Sequence, residues 1–162
     1  MDRPDDASGQ AFDAALRILA RRNHSCHELR QKLRQRQFTT PAIDAALARC
    51  ERLGYVNDGE TAAGYFRELV RKGIGGERIR LEMHRKGLSG EVVDGLVAGY
   101  AGGPDEAAAA SRLLARRMGR FDREADPRKR REKIFRFMLS RGFSADTIQE
   151  ALRNAGTGEP SD

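Results

Sequence analysis

At 162 residues, with 39 % hydrophobic and 33 % charged residues and no tryptophan, the chain is lean for one globular core and suits a helical protein with much exposed surface. Its formal net charge of +6 directs it towards something acidic, whether nucleic acid, an anionic membrane surface or an acidic groove on a protein. Two cysteines make no disulfide framework, Met1–Gln10 is polar and acidic rather than a secretory leader, and no apolar run approaches the roughly 20 residues of a bilayer span, so a cytoplasmic protein with reduced thiols is expected.

Residues 1–9 hold Pro, Gly and three aspartates and read as a disordered lead-in. A first helix is predicted from about Gln10 to Arg22, with Phe12, Ala15, Leu16 and Leu19 on an inner stripe and Arg17 and Arg21 on another face. Ser25 and Glu28 form an S-x-x-E capping box that starts a second helix, with Leu29 and Leu33 inside and Arg30, Lys32 and Arg34 outside. After a bend at Gln37 and Phe38, Thr39, Thr40 and Pro41 signal a third helix. That helix buries Ile43, Ala46, Leu47 and Cys50 and ends at Gly54, closing a first unit over 10–54.

Tyr55-Val56-Asn57-Asp58 leads into a second unit, 55–100, with Asn57 or Asp58 as cap and Tyr55 and Val56 packing back across the junction. Its first helix places Ala62, Phe66, Leu69 and Val70 inside and Arg67 and Arg71 outside, and Gly73, Gly75 and Gly76 break it. The Gly99–Pro104 stretch has the most flexible interior composition, and 101–104 is expected to be a hinge. A third unit, 101–153, opens with a helix from about Asp105 to Gly119. Ala107, Ala110, Leu113 and Leu114 face inward there, and Arg112 and Arg116 outward. Asp126-Pro127 starts a helix dense in cations, and 154–162 is a polar tail.

One stretch recurs across these units. ELRQKLRQRQFTTPAIDAAL from Glu28, RIRLEMHRKGLSGEVVDGLV from Arg78 and KIFRFMLSRGFSADTIQEAL from Lys133 align without a gap. The columns Leu29/Ile79/Ile134, Leu33/Met83/Met138 and Phe38/Leu88/Phe143 keep their apolar type and form the expected repeat core. Gly87 and Gly142 supply the left-handed residue that ends a helix, and Ser89 or Ser144 caps the next. Gln37 stands where the other copies have glycine, so that bend carries a side chain in a conformation Gly visits cheaply. The fold expected is all-α, an elongated array of three tandem three-helix repeats with a period of about 50 residues.

The third copy diverges: the column Arg30/Arg80 becomes Phe135, Leu139 follows, and Phe137 adds a further apolar side chain, so this helix is apolar nearly all round. Those three are either core or a docking patch. His24, Cys26 and His27 with Cys50 or His84 match no zinc spacing, and no metal or cofactor is expected. No phosphate loop, nucleophile elbow or H-E-x-x-H is present, so no catalytic residue is assigned. What recurs is positive charge on outer faces, at Arg17, Arg21, Arg30, Arg34, Arg67, Arg71, Arg80, Arg112 and Arg116. Between Arg17 and Arg36, Glu28 is the only acid. These arginines are the candidate partner-binding residues. Direct major-groove reading is disfavoured, because the third helix of each unit offers Asp44, Glu91, Asp94, Asp146 and Glu150 rather than base-reading cations.

The repeat spacing, the bend signature L-x-x-x-L-x-x-[KR]-G-[FL]-[ST], the Gly54-Tyr55-Val56-Asn57-Asp58 junction and the Arg141-Gly142-Phe143-Ser144 bend together resemble the RecX family, over about Ala11 to Leu152. The resemblance implies a non-enzymatic regulator that lies in the groove of the RecA filament on single-stranded DNA and lowers its ATPase, strand-exchange and co-protease activities. A monomer whose partner is that filament is expected, with single- or double-stranded DNA as a second partner through phosphate contacts of the arginine columns, and no membrane. Direct non-specific nucleic-acid binding is the alternative.

Overall fold

The computed structural model describes residues 4–156, and every regular element among them is an α-helix. In chain order these are α1 (Pro4–Leu19), α2 (Cys26–Gln35), α3 (Thr40–Arg52), α4 (Asp58–Arg71), α5 (Gly76–Arg85), α6 (Glu91–Ala98), α7 (Pro104–Phe121), α8 (Pro127–Ser140) and α9 (Ala145–Asn154). The chain divides into two compact units. One runs up to Gly64 and takes in Met83–Gly90; the other holds Tyr65–Glu82 and the chain from Glu91 onward. The division passes within α4 and α5.

In the first unit, α1 begins ahead of its predicted start, so residues 4–9, expected as disordered lead-in, are helical. The sequence supplies reasons: Pro4 suits the first helical position, Asp6 favours the positive end of the helix dipole, and the Asp6 carboxylate accepts from Gln10. Residues 1–3 and most of the 154–162 tail lie outside the described residues. The core joins Phe12, Ala15 and Ile18 of α1 to Leu29 and Leu33 of α2 and to Ile43, Ala46, Leu47 and Cys50 of α3. Leu16 and Leu19 are only partly buried, and Ile18 takes the inward position instead.

The Ser25–Glu28 capping box forms as expected, with the Ser25 hydroxyl accepting from Glu28 N–H and the Glu28 carboxylate accepting from Ser25 N–H. Asn57 caps α4 by accepting from Glu60 N–H, while the Asp58 carboxylate turns to Cys26 N–H at 2.9 Å. Val56 packs back as expected, whereas Tyr55 is 54 % exposed.

In the second unit α7 is in contact with α8 and α9, and Leu113, Leu114, Ile134, Met138, Phe143, Ile148 and Leu152 are buried. The stretch expected as a hinge is hydrogen-bonded to the buried Glu106. Glu106 is 2 % exposed, and its carboxylate accepts from Gly76 N–H at 2.6 Å, Gly102 N–H at 2.7 Å and the Thr147 hydroxyl at 3.2 Å. A buried carboxylate with that many donors ties the start of α5, the 99–103 turn and α9 together.

A single joint is used in both units. In the first, the Ser25 hydroxyl donates to Lys86 O at 2.6 Å and Lys86 reaches Glu28 at 3.2 Å. In the second, Gly75 N–H donates to Arg141 O at 2.8 Å and Arg78 to Ser140 O at 2.7 Å. Each joint therefore sets the bend of one repeat against the start of the middle helix of the preceding repeat. Contact is so close that a Cβ on Gly87 would stand 2.2 Å from the Cβ of His27. Gly87 and Gly142 also have φ of +69° and +87°, so both sterics and backbone demand glycine. Gln37 shares the left-handed backbone at φ 65°, but no such joint closes over it among the described residues, which is why a side chain is tolerated there.

Candidate functional site

The nine candidate arginines are not equivalent. In both units the Arg of the middle helix is engaged by an Asp of the following helix, fourteen residues on: Arg30 with Asp44, and Arg80 with Asp94 at 2.7 Å. In the third copy these columns become Phe135 and Gln149, and the pair is lost. Arg34 and Arg67 are exposed and line neither of the clefts described next.

The first cleft, about 660 Å³, lies in the first unit between α1, α2 and the bend that follows α2. Arg17 on α1 and Arg21 in the turn just past its end form one wall with Asp13 and Gln10, and Lys32, Arg36 and Phe38 form the opposite side. Arg17 and Arg21 have no carboxylate partner among the described residues. Arg22, by contrast, is held by Glu28 at 3.0 Å and by Asn23 O at 2.9 Å. Phe38, expected as core, is only half-buried and opens onto this cleft, whereas its counterparts Leu88 and Phe143 are 2 % and 1 % exposed. The difference follows from the joint: the second and third bends are docked, and the first is not.

His24 completes the inner wall. It is buried, and its Nδ1 lies 2.8 Å from Arg22 O; a carbonyl only accepts, so Nδ1 carries the hydrogen and Nε2 is left as an acceptor without a partner among the described residues. Burial holds its pKa below the ordinary histidine value, with the nearby Arg22 and Lys32 charges acting in the same direction against Glu28 and the Arg22 carbonyl.

A second cleft, about 230 Å³, lies in the second unit and brings together Arg71 of α4 with Arg112 and Arg116 of α7. Val70, Gly73 and Ala109 form the rest of its lining, and it has no acid. Gly73 has φ +70° and its Cα faces Leu113, so a side chain there would be strained. None of the three guanidiniums has an ion-pair partner among the described residues. Unpaired arginines in a cleft suit a phosphate or carboxylate.

Of the candidate arginines, Arg17 and Arg21 line the first cleft and Arg71, Arg112 and Arg116 the second, and Lys32, Arg36, Phe38 and His24 join the first without having been among the partner-binding candidates. Lys32 and Arg36 sit four apart on α2 and its bend, a spacing that could have flagged them. Phe135, Phe137 and Leu139 divide: Phe135 and Phe137 are half-buried, the latter against Phe121 at 5.6 Å, while Leu139 is 46 % exposed.

The regulatory protein RecX of Haemophilus influenzae strain PittEE is 32 % identical to this chain over 146 residues, covering 90 % of the chain and 94 % of that protein. The chain belongs to the RecX family. The RecX protein of Chlorobium phaeobacteroides strain BS1 is 31 % identical over 150 residues, 91 % of this chain and 95 % of its own length. Models of the first and third three-helix domains of RecX match residues 11–50 and 104–152. Each of those ranges carries one arginine pair that lines a cleft, Arg17 with Arg21 and Arg112 with Arg116. The fold agrees: the crystal structure of RecX from Lactobacillus salivarius superposes with a TM-score of 0.80 at 22 % identity, over 94 % of this chain and 98 % of that one. The tandem helical repeat is thus the RecX fold, and no helix among the described residues is long and apolar enough to cross a membrane.

Proposed function

We propose that this chain is a cytoplasmic, monomeric regulator that binds the RecA filament on single-stranded DNA, along its groove, and restrains its ATPase, strand-exchange and co-protease activities in DNA repair and the SOS response. Membership of a family whose members are named regulatory proteins supports the regulatory part. The observation that carries the binding part is the pair of clefts in which Arg17 and Arg21, and Arg71, Arg112 and Arg116, have no ion-pair partner among the described residues, since such cations held close together are a recognition surface for an anionic polymer. Contacts at separate clefts add through effective concentration, so each can be weak. Arg30 and Arg80, already engaged by Asp44 and Asp94, contribute less.

The test is the rate of DNA-dependent ATP hydrolysis by RecA with increasing amounts of this protein. The wild type lowers the rate. Arg71→Glu with Arg112→Glu weakens that inhibition, while Arg30→Glu changes it little. A wild-type chain without effect on the ATPase rejects the reading.

A further inference from the structure

Resting on the reading that the chain works on a filament containing single-stranded DNA, we infer that the first-unit cleft is a nucleotide seat: phosphate between Arg17, Arg21, Lys32 and Arg36, with a base laid against the ring of Phe38. The second cleft is a phosphate site only. The two clefts differ in content, and the difference assigns their roles. The first is the larger, about 660 Å³ against 230 Å³, within the range of pockets that take small organic groups. It alone has an aromatic ring in its lining, beside Ile18 and Ala14.

That ring is in the cleft for a structural reason. Leu88 and Phe143 occupy the same column and are covered, because their bends are docked against a neighbouring repeat. The first bend has no such neighbour among the described residues, and Phe38, partly buried against the first-unit core, also lines the cleft with Arg36, Arg17 and Arg21. Cations that track a backbone, together with an aromatic face, are what single-stranded nucleic acid recognition uses, since an unpaired base can stack where a paired one cannot. An acidic peptide is a poorer occupant. Its backbone N–H groups would find few side-chain acceptors in the lining, namely Asp13, Gln10 and His24 Nε2.

Fluorescence anisotropy of the full chain with a labelled oligothymidylate, an abasic oligonucleotide of equal length and polyglutamate, at one ionic strength and without RecA, tests this. The wild type binds the oligothymidylate more tightly than the abasic strand. Phe38→Ala loses about tenfold on the former and little on the latter, Phe38→Trp restores binding, and Arg17→Glu with Arg21→Glu weakens both. Equal wild-type affinity for the two strands, or tighter binding of polyglutamate, overturns the inference. If Phe38→Ala does not fold, photocrosslinking of a 4-thiothymidine strand to the wild type replaces it: labelling at the 36–38 segment supports the seat and labelling confined elsewhere overturns it. The ATPase assay separates the two claims. Inhibition of RecA by a chain that ignores bases leaves the functional reading standing and removes the seat, whereas base-dependent strand binding without inhibition does the reverse.

Discussion

A Cβ built on Gly142 would lie 2.3 Å from the Cβ of Arg78, and the Gly142 backbone has φ +87°. Replacing Gly142 with Ala therefore adds a left-handed residue with a side chain and a clash inside a joint, costing about 3 kcal/mol by the sum of backbone strain and overpacking. Gln37→Gly acts in the opposite direction. It relieves a left-handed backbone where nothing presses on the bend and is expected to stabilise by about 1 kcal/mol. Urea unfolding of both variants checks the pair, and a Gln37→Gly protein less stable than the wild type would show that its side chain is held by something else.

Phe143 and Phe38 share a repeat column but not an environment. Phe143→Ala is expected to cost about 3 to 5 kcal/mol because the ring is 1 % exposed, and Phe38→Ala less because its ring is only partly buried. Thermal unfolding of the two alanine variants side by side decides it; equal losses contradict the assignment of Phe38 to the cleft.

Two groups make the first unit acid-sensitive. Burial alone would raise the Glu28 carboxyl, but hydrogen bonds from Arg22, Ser25 N–H and Lys86 outweigh it and hold its pKa down to about 2, from 4.5. Its contribution, roughly 2 to 3 kcal/mol, is present above about pH 4.5 and is lost as pH falls from there towards 2, where the folded form at last takes up the proton. His24 is kept neutral by burial, so its pKa is lowered from 6.5 and stability begins to fall below that value as the unfolded chain protonates first. Stability measured from pH 7 to 3 should fall in two stages, with Glu28→Gln flattening the lower one and His24→Gln the upper.

Cys26 is pushed up to about 12 by burial, by its hydrogen bond to Glu51 and by the Asp58 charge, and burial raises Cys50 as well. At pH 8 both are thiols, not thiolates, and should react with an aromatic disulfide reagent far more slowly in the folded protein than in urea. Glu51→Gln should speed the labelling of Cys26 modestly and leave that of Cys50 unchanged.

Helical periodicity and caps made much of the architecture readable beforehand. Leu29, Leu33, Ile79, Met83, Ile134 and Met138 are all fully buried where the repeat columns put them, and the Ser25, Asp126 and Ser144 caps form. Local signals carry such features because they need only the residue's own helix. What stayed hidden depends on partners distant in the chain. Glu106 sits three residues after Gly103, a capping-box position, yet its donors at Gly76 and Thr147 come from other helices. The same holds for the site: charge patterning named Arg17 and Arg112, but only packing could show that Arg30 is engaged by Asp44 and that Phe38, partly buried, lines the cleft with Arg17.

The third middle helix, α8, starts at Pro127, a full turn ahead of the register at which α2 and α5 begin, and Asp126 caps it by accepting from Arg128 and Lys129 N–H. That added turn occupies the place where the other two middle helices receive a neighbouring bend. A further copy of the middle repeat could thus be spliced between existing repeats, where both mating surfaces are present, but not appended after the third. A designed lengthening should therefore insert from within.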